Sequence, residues 1–516
     1  MVKSNAMIQN KYTRLALWIV FCLGFVLRMS PAILAGFPVN DGGMFLAMIR
    51  DIQLTGFLLP KETSYNFANL PFVYPPFGIY VAAILASWFP LSEFEILRWL
   101  PAIVATGIVP AFYWLGQQVL DSESKAFIAT AVYALMPGSS DWLVMGGGLT
   151  RSFGILFSLF ALGSVYNLFH NDNQKMLMPA IFFCALTVFS HPEAGLQTAA
   201  ICSIVWALYG RNRLGIKSAL LVALGVALLT AAWWVTVLRY YGPAPFQSAI
   251  QTGIHETWLA SLFHTFFSMQ GALPILPVFG LIGIFAVLRR HEVFLILWAF
   301  LPFFVDPRNA PAIAIFPLLM LASEGLYYLH AEFTHMYSAT FARTQHTENY
   351  SSLITHGSFA CILLYLFLIS YTIPPKLAAI SLDTSDRKTM QWIRNNTPPE
   401  SLFLLMTNAG NISPMTDSYQ EWFPVLAERR SVNTLQGMEW VLGPNFFSYS
   451  RKLVALQACP DTDCLNDWLE QNNIQVDFIL LQTERANRSL TNSFRLDERY
   501  GTFYRSATAE VFALHP

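Results

Sequence analysis

Apolar runs recur through the first three-quarters of the chain. They lie near 15–36, 99–119, 126–145, 152–169, 176–190, 196–209, 218–238, 272–288, 292–305, 310–329 and 353–374. A hydrocarbon core of roughly 30 Å takes about 20 apolar residues of helix to cross. The runs 176–190 and 292–305 are short on that measure, yet the whole pattern predicts about eleven transmembrane helices. The first run reads as an uncleaved first helix rather than a signal peptide. The stretch 74–90 is apolar too, but it holds Pro75, Pro76 and Pro90 and predicts an interfacial helix rather than a crossing. After about residue 375 the pattern changes. A helix over 392–400 ends at Pro398 and Pro399, and short apolar strands follow at 402–406, 478–481 and 511–514. The expected architecture is a polytopic α-helical membrane protein. A transmembrane domain covers 1–375 with a long first outer loop, 37–98, and a soluble α/β domain covers 376–516.

Basic residues orient this arrangement. With the N-terminus inside, the inner segments hold Lys3, Lys11, Arg14, Lys125, Lys175, Arg211, Arg213, Lys217, Arg289, Arg290 and Arg343. The longer outer segments hold Arg50, Lys61, Arg98, Arg151, Arg239 and Arg308. The positive-inside rule therefore puts the N-terminus in the cytoplasm and the C-terminal domain on the external, periplasmic side of the cytoplasmic membrane. Counting 74–90 as a span would turn Arg211, Arg213, Arg289 and Arg290 outward.

Composition agrees with a lipid-solvated chain. Of 516 residues, 54% are hydrophobic and 12% charged, against about 25% charged in soluble domains. Mean hydropathy is +0.44. Aromatics reach 15%, which suits interfacial belts. A net charge of -1 offers no basic field for nucleic acid. Cys22, Cys184, Cys202 and Cys361 lie in apolar runs as packing residues. Cys459 and Cys464 bracket a polar segment and are expected to close a small disulfide loop in an oxidising compartment.

The first outer loop carries the densest candidate chemistry. It opens Phe37-Pro38-Val39-Asn40-Asp41-Gly42-Gly43 and later reads Tyr74-Pro75-Pro76. A carboxylate at the membrane surface followed by two glycines is open to a ligand, and a partly desolvated Asp41 suits a general base or a metal ligand. Equally, Asn40-Asp41 before an apolar stretch suits the N-cap of a helix over 44–53. Asn40-Asp41-Gly42 just after the first span, with Tyr74-Pro75-Pro76 further on, resembles the GT-C class of membrane glycosyltransferases. The segment 39–52 is similar to the catalytic subunit of oligosaccharyltransferase, and the likeness in layout runs over roughly 15–240. The C-terminal pattern Trp392-Ile393-Arg394, Thr397-Pro398, Glu421-Trp422-Phe423-Pro424, Arg429-Arg430 and Gly437-Met438-Glu439-Trp440 is similar to that of prokaryotic members. The resemblance implies a polyprenyl-phosphate-linked sugar donor, Asp41 as catalytic carboxylate, and Asn40 and Tyr74 in the sugar or acceptor site.

The departures from that pattern are specific. Oligosaccharyltransferases carry an acidic pair in the second outer loop that helps bind a divalent metal. Here the loop reads Met145-Gly146-Gly147-Gly148-Leu149-Thr150-Arg151, with Leu149 and Arg151 where the acids would stand. The acceptor-reading Trp-Trp-Asp-Tyr-Gly motif is absent as well. Relatives using a lipid monophosphate manage without metal, and a fixed guanidinium at Arg151 suits a departing phosphate. A snorkelling arginine is the plainer alternative.

Other outer polar residues complete the candidate set. Ser190-His191-Pro192-Glu193 interrupts two apolar runs, and His191 and Glu193 suit sugar hydroxyls, a proton relay or a polar turn. Arg308, in Asp306-Pro307-Arg308-Asn309, sits where the resemblance implies an arginine for the lipid phosphate. Arg28, inside the first span, suits an acidic partner or that same phosphate, and Asp141 is a second carboxylate candidate. The expected activity is that of an inverting glycosyltransferase passing a sugar from a polyprenyl-phosphate carrier in the bilayer to a glycan, lipid or protein acceptor on the outer face. No cofactor is expected. One alternative is an oligosaccharyltransferase-like enzyme with magnesium or manganese on Asp41, His191 and Glu193. Another is a non-enzymatic flippase or transporter of lipid-linked glycans.

Overall fold

A computed structural model describes residues 2–253, 257–272, 275–340 and 345–514. Arg343, counted above among the inner cations, lies outside the described residues. The first helix, Val2–Ala35, ends where Gly36 takes φ 62, the left-handed conformation that commonly stops a helix. Among the described residues, six helical segments are long and apolar enough to cross a membrane: Thr13–Ala35, Glu93–Leu120, Gly148–His170, Arg213–Tyr241, Ala310–Thr334 and the apolar part of Gly357–Asn396. Shorter apolar helices include Phe77–Trp88, Gln174–Ser190 and Phe294–Val305. The bundle shares one apolar core, in which Phe112, Tyr133 and Phe316 meet edge to face or tilted.

The long outer loop is an ordered piece of structure. Helix Gly43–Leu54 is followed by a two-stranded antiparallel ladder, β1 (Glu62–Thr63) against β2 (Leu70–Pro71), then by helix Phe77–Trp88. The Asp51 carboxylate accepts the Ser64 amide at 2.9 Å and pins the ladder to the helix. Ser92 caps the next helix, Glu93–Leu120, by accepting the Glu95 amide.

Beyond the bundle, five strands form one sheet: β3 (Leu402–Met406), β4 (Arg430–Ser431), β5 (Phe478–Gln482), β6 (Tyr500–Arg505) and β7 (Ala509–Leu514). Their order is β4-β3-β5-β7-β6, parallel through the first three and antiparallel at β5–β7 and β7–β6. Side-chain alternation splits the sheet between two cores. Phe403, Leu405, Leu480 and Val511 face one side with helices Thr384–Asn396 and Ser418–Leu426. Leu404, Met406, Leu481 and Phe512 face the other with helices Phe446–Gln457, Thr462–Gln471 and Arg488–Leu496.

The first of those cores also contains Leu46, Ile49, Ile52, Tyr65, Phe72 and Ile79 from the outer loop. Loop and sheet therefore bury their apolar surface against each other. Helix Thr384–Asn396 stops at Thr397, whose extended backbone is what the following Pro398 demands. Cys459 and Cys464 are joined in a disulfide, while Cys22, Cys184, Cys202 and Cys361 are free. Non-reducing peptide mapping of the purified protein is expected to recover Cys459 and Cys464 as one linked pair. Recovery of both as free thiols would contradict that bond and the oxidising compartment it needs.

Candidate active site

Two backbone segments meet at one end of the bundle. Residues 39–42 leave the first helix, and the glycines 146–148 precede helix Gly148–His170. The Gly146 amide donates to the Val39 carbonyl at 3.0 Å. The Gly147 amide donates to Asp41 Oδ1 at 2.7 Å. A Cβ on Gly146 would strike the Asp41 carbonyl oxygen, and one on Gly147 would strike the Asp41 carboxylate. Glycine is required at both positions by close approach. Asn40 adopts φ 57 and Gly42 φ 123, so the chain turns sharply on either side of Asp41.

This geometry corrects the capping alternative for Asp41. Helix Gly43–Leu54 begins after Gly42, and no side chain at that N-cap bonds to the helix. The acceptor is supplied by Glu421, whose Oε1 takes the Gly42 amide at 2.8 Å and the Gly43 amide at 3.0 Å. Trp422 Nε1 donates to the Asn40 carbonyl at 2.8 Å, and Tyr65 OH donates to the Glu421 carbonyl at 2.7 Å. Asn40 itself is buried, with its amide against Met145 Sδ at 3.6 Å.

Burial pushes the Asp41 carboxyl up, while the Arg151 guanidinium and the Gly147 amide pull it down. Glu421 is driven up to about 8 by burial and by the charge of Asp41, with the amides of Gly42, Gly43 and Met44 pulling it down. Of two buried carboxyls side by side, the one facing an arginine keeps the negative charge. The Arg151 guanidinium therefore favours the ionised form of Asp41, and burial favours the protonated form of Glu421.

The remaining candidates gather around this pair. Arg151 Nη1 donates to the Trp142 carbonyl at 2.7 Å and its guanidinium lies 5.6 Å from the Trp142 ring centroid, which fixes the side chain in place. Tyr74 packs edge-on against Phe45 and His191 and accepts from Thr150 Oγ1 at 3.4 Å. Trp233 holds that segment by donating to the Val73 carbonyl. His191 caps the helix Pro192–Tyr209, and its Nδ1 lies 3.3 Å from Glu193 Oε2. Burial, reinforced by Arg151 and Arg308 against the pull of Glu193, lowers the imidazole to about 4, so it is neutral at pH 7. Arg308 is exposed on a short turn whose backbone is tied to the His191 helix by Gln197, which donates to the carbonyls of Pro302 and Asp306.

Two residues of this cluster were not singled out as site residues from the sequence: Glu421 and Glu439. Burial raises Glu439 to about 7, with Arg308 opposing and Glu193 adding to the rise. Each is an acid directly before a tryptophan in an otherwise apolar stretch, and that repeated pair was the available signal. Glu193 Oε2 and Glu439 Oε2 are buried atoms with no hydrogen-bond partner in the protein.

Arg28 and Asp141 sit elsewhere. They line a cavity with Met136, Ser140 and Pro374. Arg28 Nη1 donates to the Ala134 carbonyl at 2.9 Å, and its guanidinium lies 5.3 Å from the Tyr133 ring centroid. Leu149 is fully buried against Gly78. Among the described residues no three His, Cys, Asp or Glu side chains converge in a geometry that fits a metal ion. Asp41, His191 and Glu193 do not form such a set.

No family model matches the chain, and no curated protein matches it. Solved structures do. The oligosaccharyltransferase of Archaeoglobus fulgidus in its apo form aligns over 98% of this chain and 74% of its own, with TM-score 0.55 and 14% identity. ArnT from Cupriavidus metallidurans, bound to undecaprenyl phosphate, aligns over 98% of both chains with TM-score 0.56 and 13% identity. The arabinofuranosyltransferase AftD from Mycobacteria aligns over 98% of this chain and 40% of its own, with TM-score 0.56 and 13% identity. At such identities the likeness is one of fold, and the fold of this chain is that of the GT-C class of membrane glycosyltransferases.

Proposed function

We propose that the chain is an integral-membrane, inverting glycosyltransferase that takes a sugar from a polyprenyl-phosphate carrier and passes it to an acceptor on the outer face. The observation that carries this reading is Asp41. It is held on the Gly147 amide, beside the buried Glu421 and within the field of Arg151, on a fold shared with glycosyltransferases. That ArnT binds undecaprenyl phosphate supports the class of donor. The Oε2 of Glu439, buried with no hydrogen-bond partner in the protein, supports a ligand that carries hydroxyl donors.

The reaction is a single displacement. Asp41 takes the proton of the acceptor nucleophile as that atom bonds to the anomeric carbon. The bond from the anomeric carbon to the phosphate oxygen breaks, and the electron pair leaves on the polyprenyl phosphate. Arg151 and Arg308 meet the charge that develops there. His191, neutral at pH 7, serves as a hydrogen-bonding group for sugar or acceptor. No three His, Cys, Asp or Glu side chains converge in a metal-binding geometry among the described residues, and no step is routed through a metal. The eleven-span reading with a cytoplasmic N-terminus places this site, and the region 376–516 above it, outside the membrane.

Mass spectrometry of envelope glycans and glycoproteins from a deletion strain identifies the sugar and acceptor. The deletion strain should lose one glycosyl modification and accumulate its lipid-linked donor. Unchanged glycans and lipids would refute the proposal. Asp41→Asn restores nothing on complementation and transfers at least about 10²-fold more slowly, the scale on which a general base contributes; a fully active Asn variant would sink the mechanism. EDTA leaves transfer intact, whereas loss in EDTA with recovery in magnesium or manganese would return Asp41, His191 and Glu193 as ligands.

The pH profile has a predicted sign. The base must be ionised, so transfer falls as pH drops through the Asp41 pKa, which burial has raised. The acid limb should therefore lie above the ordinary aspartate range. Arg151→Gln removes a group that lowers this pKa and should move the limb further up. A limb that shifts down would contradict the assignment. For topology, Ser431 is a poor reporter because it is buried against Asn66. Ser489 is exposed, and Ser489→Cys should react with an impermeant maleimide on intact cells. Reaction only after permeabilisation would reverse the orientation.

A further inference from the structure

We propose that Glu421 is a positioning residue for the reaction: it supplies, from the distant sheet-bearing region, the helix cap that the catalytic loop lacks, and so leaves the Asp41 carboxylate free to face substrate. The inference rests on the reading of Asp41 as the catalytic carboxylate.

The first amides of any helix need acceptors from outside it. Helix Gly43–Leu54 has none from its own flank, because its N-cap is Gly42 and the neighbouring Asp41 is bonded instead to Gly147. Glu421 Oε1 takes two of those amides, across sequence separations of 379 and 378 residues. The arrangement has no slack. A Cβ on Gly43 would lie 2.5 Å from the Glu421 carbonyl oxygen, so only glycine admits this approach. Tyr65 OH holds that same carbonyl, and Trp422 holds the Asn40 carbonyl, so contacts of residues 421 and 422 bracket Asp41 on both sides.

The charged and titratable groups facing Glu421 are Asp41 and Tyr65, with Arg151 beyond Asp41 and Glu439 beyond Tyr65. An unbonded or fully ionised Glu421 would compete with Asp41 for the local positive field. Bonded to the two amides and protonated, it anchors the loop without taking that field. Glu421 is buried, and its Oε1 is taken by the two amides. Its contribution is to orientation, and a shift of about 1 Å in a reacting group is worth about 10²-fold in rate.

The test uses the full chain in proteoliposomes. Hydrogen exchange is read on peptides covering 40–46, and transfer is read with the lipid extract of the deletion strain as donor source. Glu421→Gln keeps the acceptor oxygen. It should preserve amide protection at Gly42 and Gly43 and hold kcat within about threefold. Glu421→Ala should speed exchange there by at least about tenfold and lower kcat by about 10²-fold, with little change in KM. Protection in β3 should be unaltered in both. If the Ala variant does not accumulate, Glu421→Asp serves instead, because it withdraws the carboxylate by one methylene and should likewise lower kcat and protection. Unchanged protection and kcat in the Ala or Asp variant would overturn the proposal, as would a Gln variant as damaged as the Ala variant. An inactive Asp41→Asn enzyme beside a normal Glu421→Ala enzyme would remove this inference and leave the proposed function standing. An active Asp41→Asn enzyme would remove the function itself.

Discussion

The structure around Asp41 depends on one close approach, that of the backbone at 39–42 to the backbone at 146–147. No side chain can intervene there, since a Cβ on Gly146 or Gly147 would overlap Asp41. Two amides cross the gap, one to the Val39 carbonyl and one to the Asp41 carboxylate. The approach joins the end of the first membrane helix to the start of helix Gly148–His170. Everything else at the site is arranged around a carboxylate whose position that contact sets.

A backbone contact of this kind cannot hold itself in water, and here two apolar supports enclose it. Below lies the bundle core. Above lies the core shared by the loop 37–98 and one face of the sheet, where Phe37, Phe94 and Trp422 pack tilted or edge-on against one another. Burial then acts electrostatically. It raises both Asp41 and Glu421, and Arg151 opposes the rise at Asp41. The difference between the two acids comes from their surroundings, as is general for paired carboxyls.

Much of this was legible in the sequence, and for identifiable reasons. The apolar runs near 15–36, 99–119, 152–169, 218–238 and 310–329 each marked a long helix. Asp41 stood out because a carboxylate and two glycines directly follow an apolar span. Arg151 and His191 stood out as polar groups at the ends of such runs. What escaped was long-range. Nothing local in Glu421-Trp422 says that it will cap a helix beginning at Gly43. The sequence suggested that Asn40-Asp41 would do so, and lost to a contact that closes only in three dimensions. The edge strand β4, of two residues, is too short to show a period. For Arg28 the sequence left open an acidic partner or the lipid phosphate, and the structure groups it with Asp141 and Tyr133.

The central claim is that Asp41, Arg151 and Arg308 serve one site, with the lipid phosphate between the two arginines. The most direct measurement is a cryo-EM map of the protein in nanodiscs containing undecaprenyl phosphate. The account predicts phosphate density in contact with Arg151 and Arg308, on the side of Asp41 away from Glu421. Density in the cavity of Arg28 and Asp141 instead, or at the cytoplasmic ends of the helices, would contradict it.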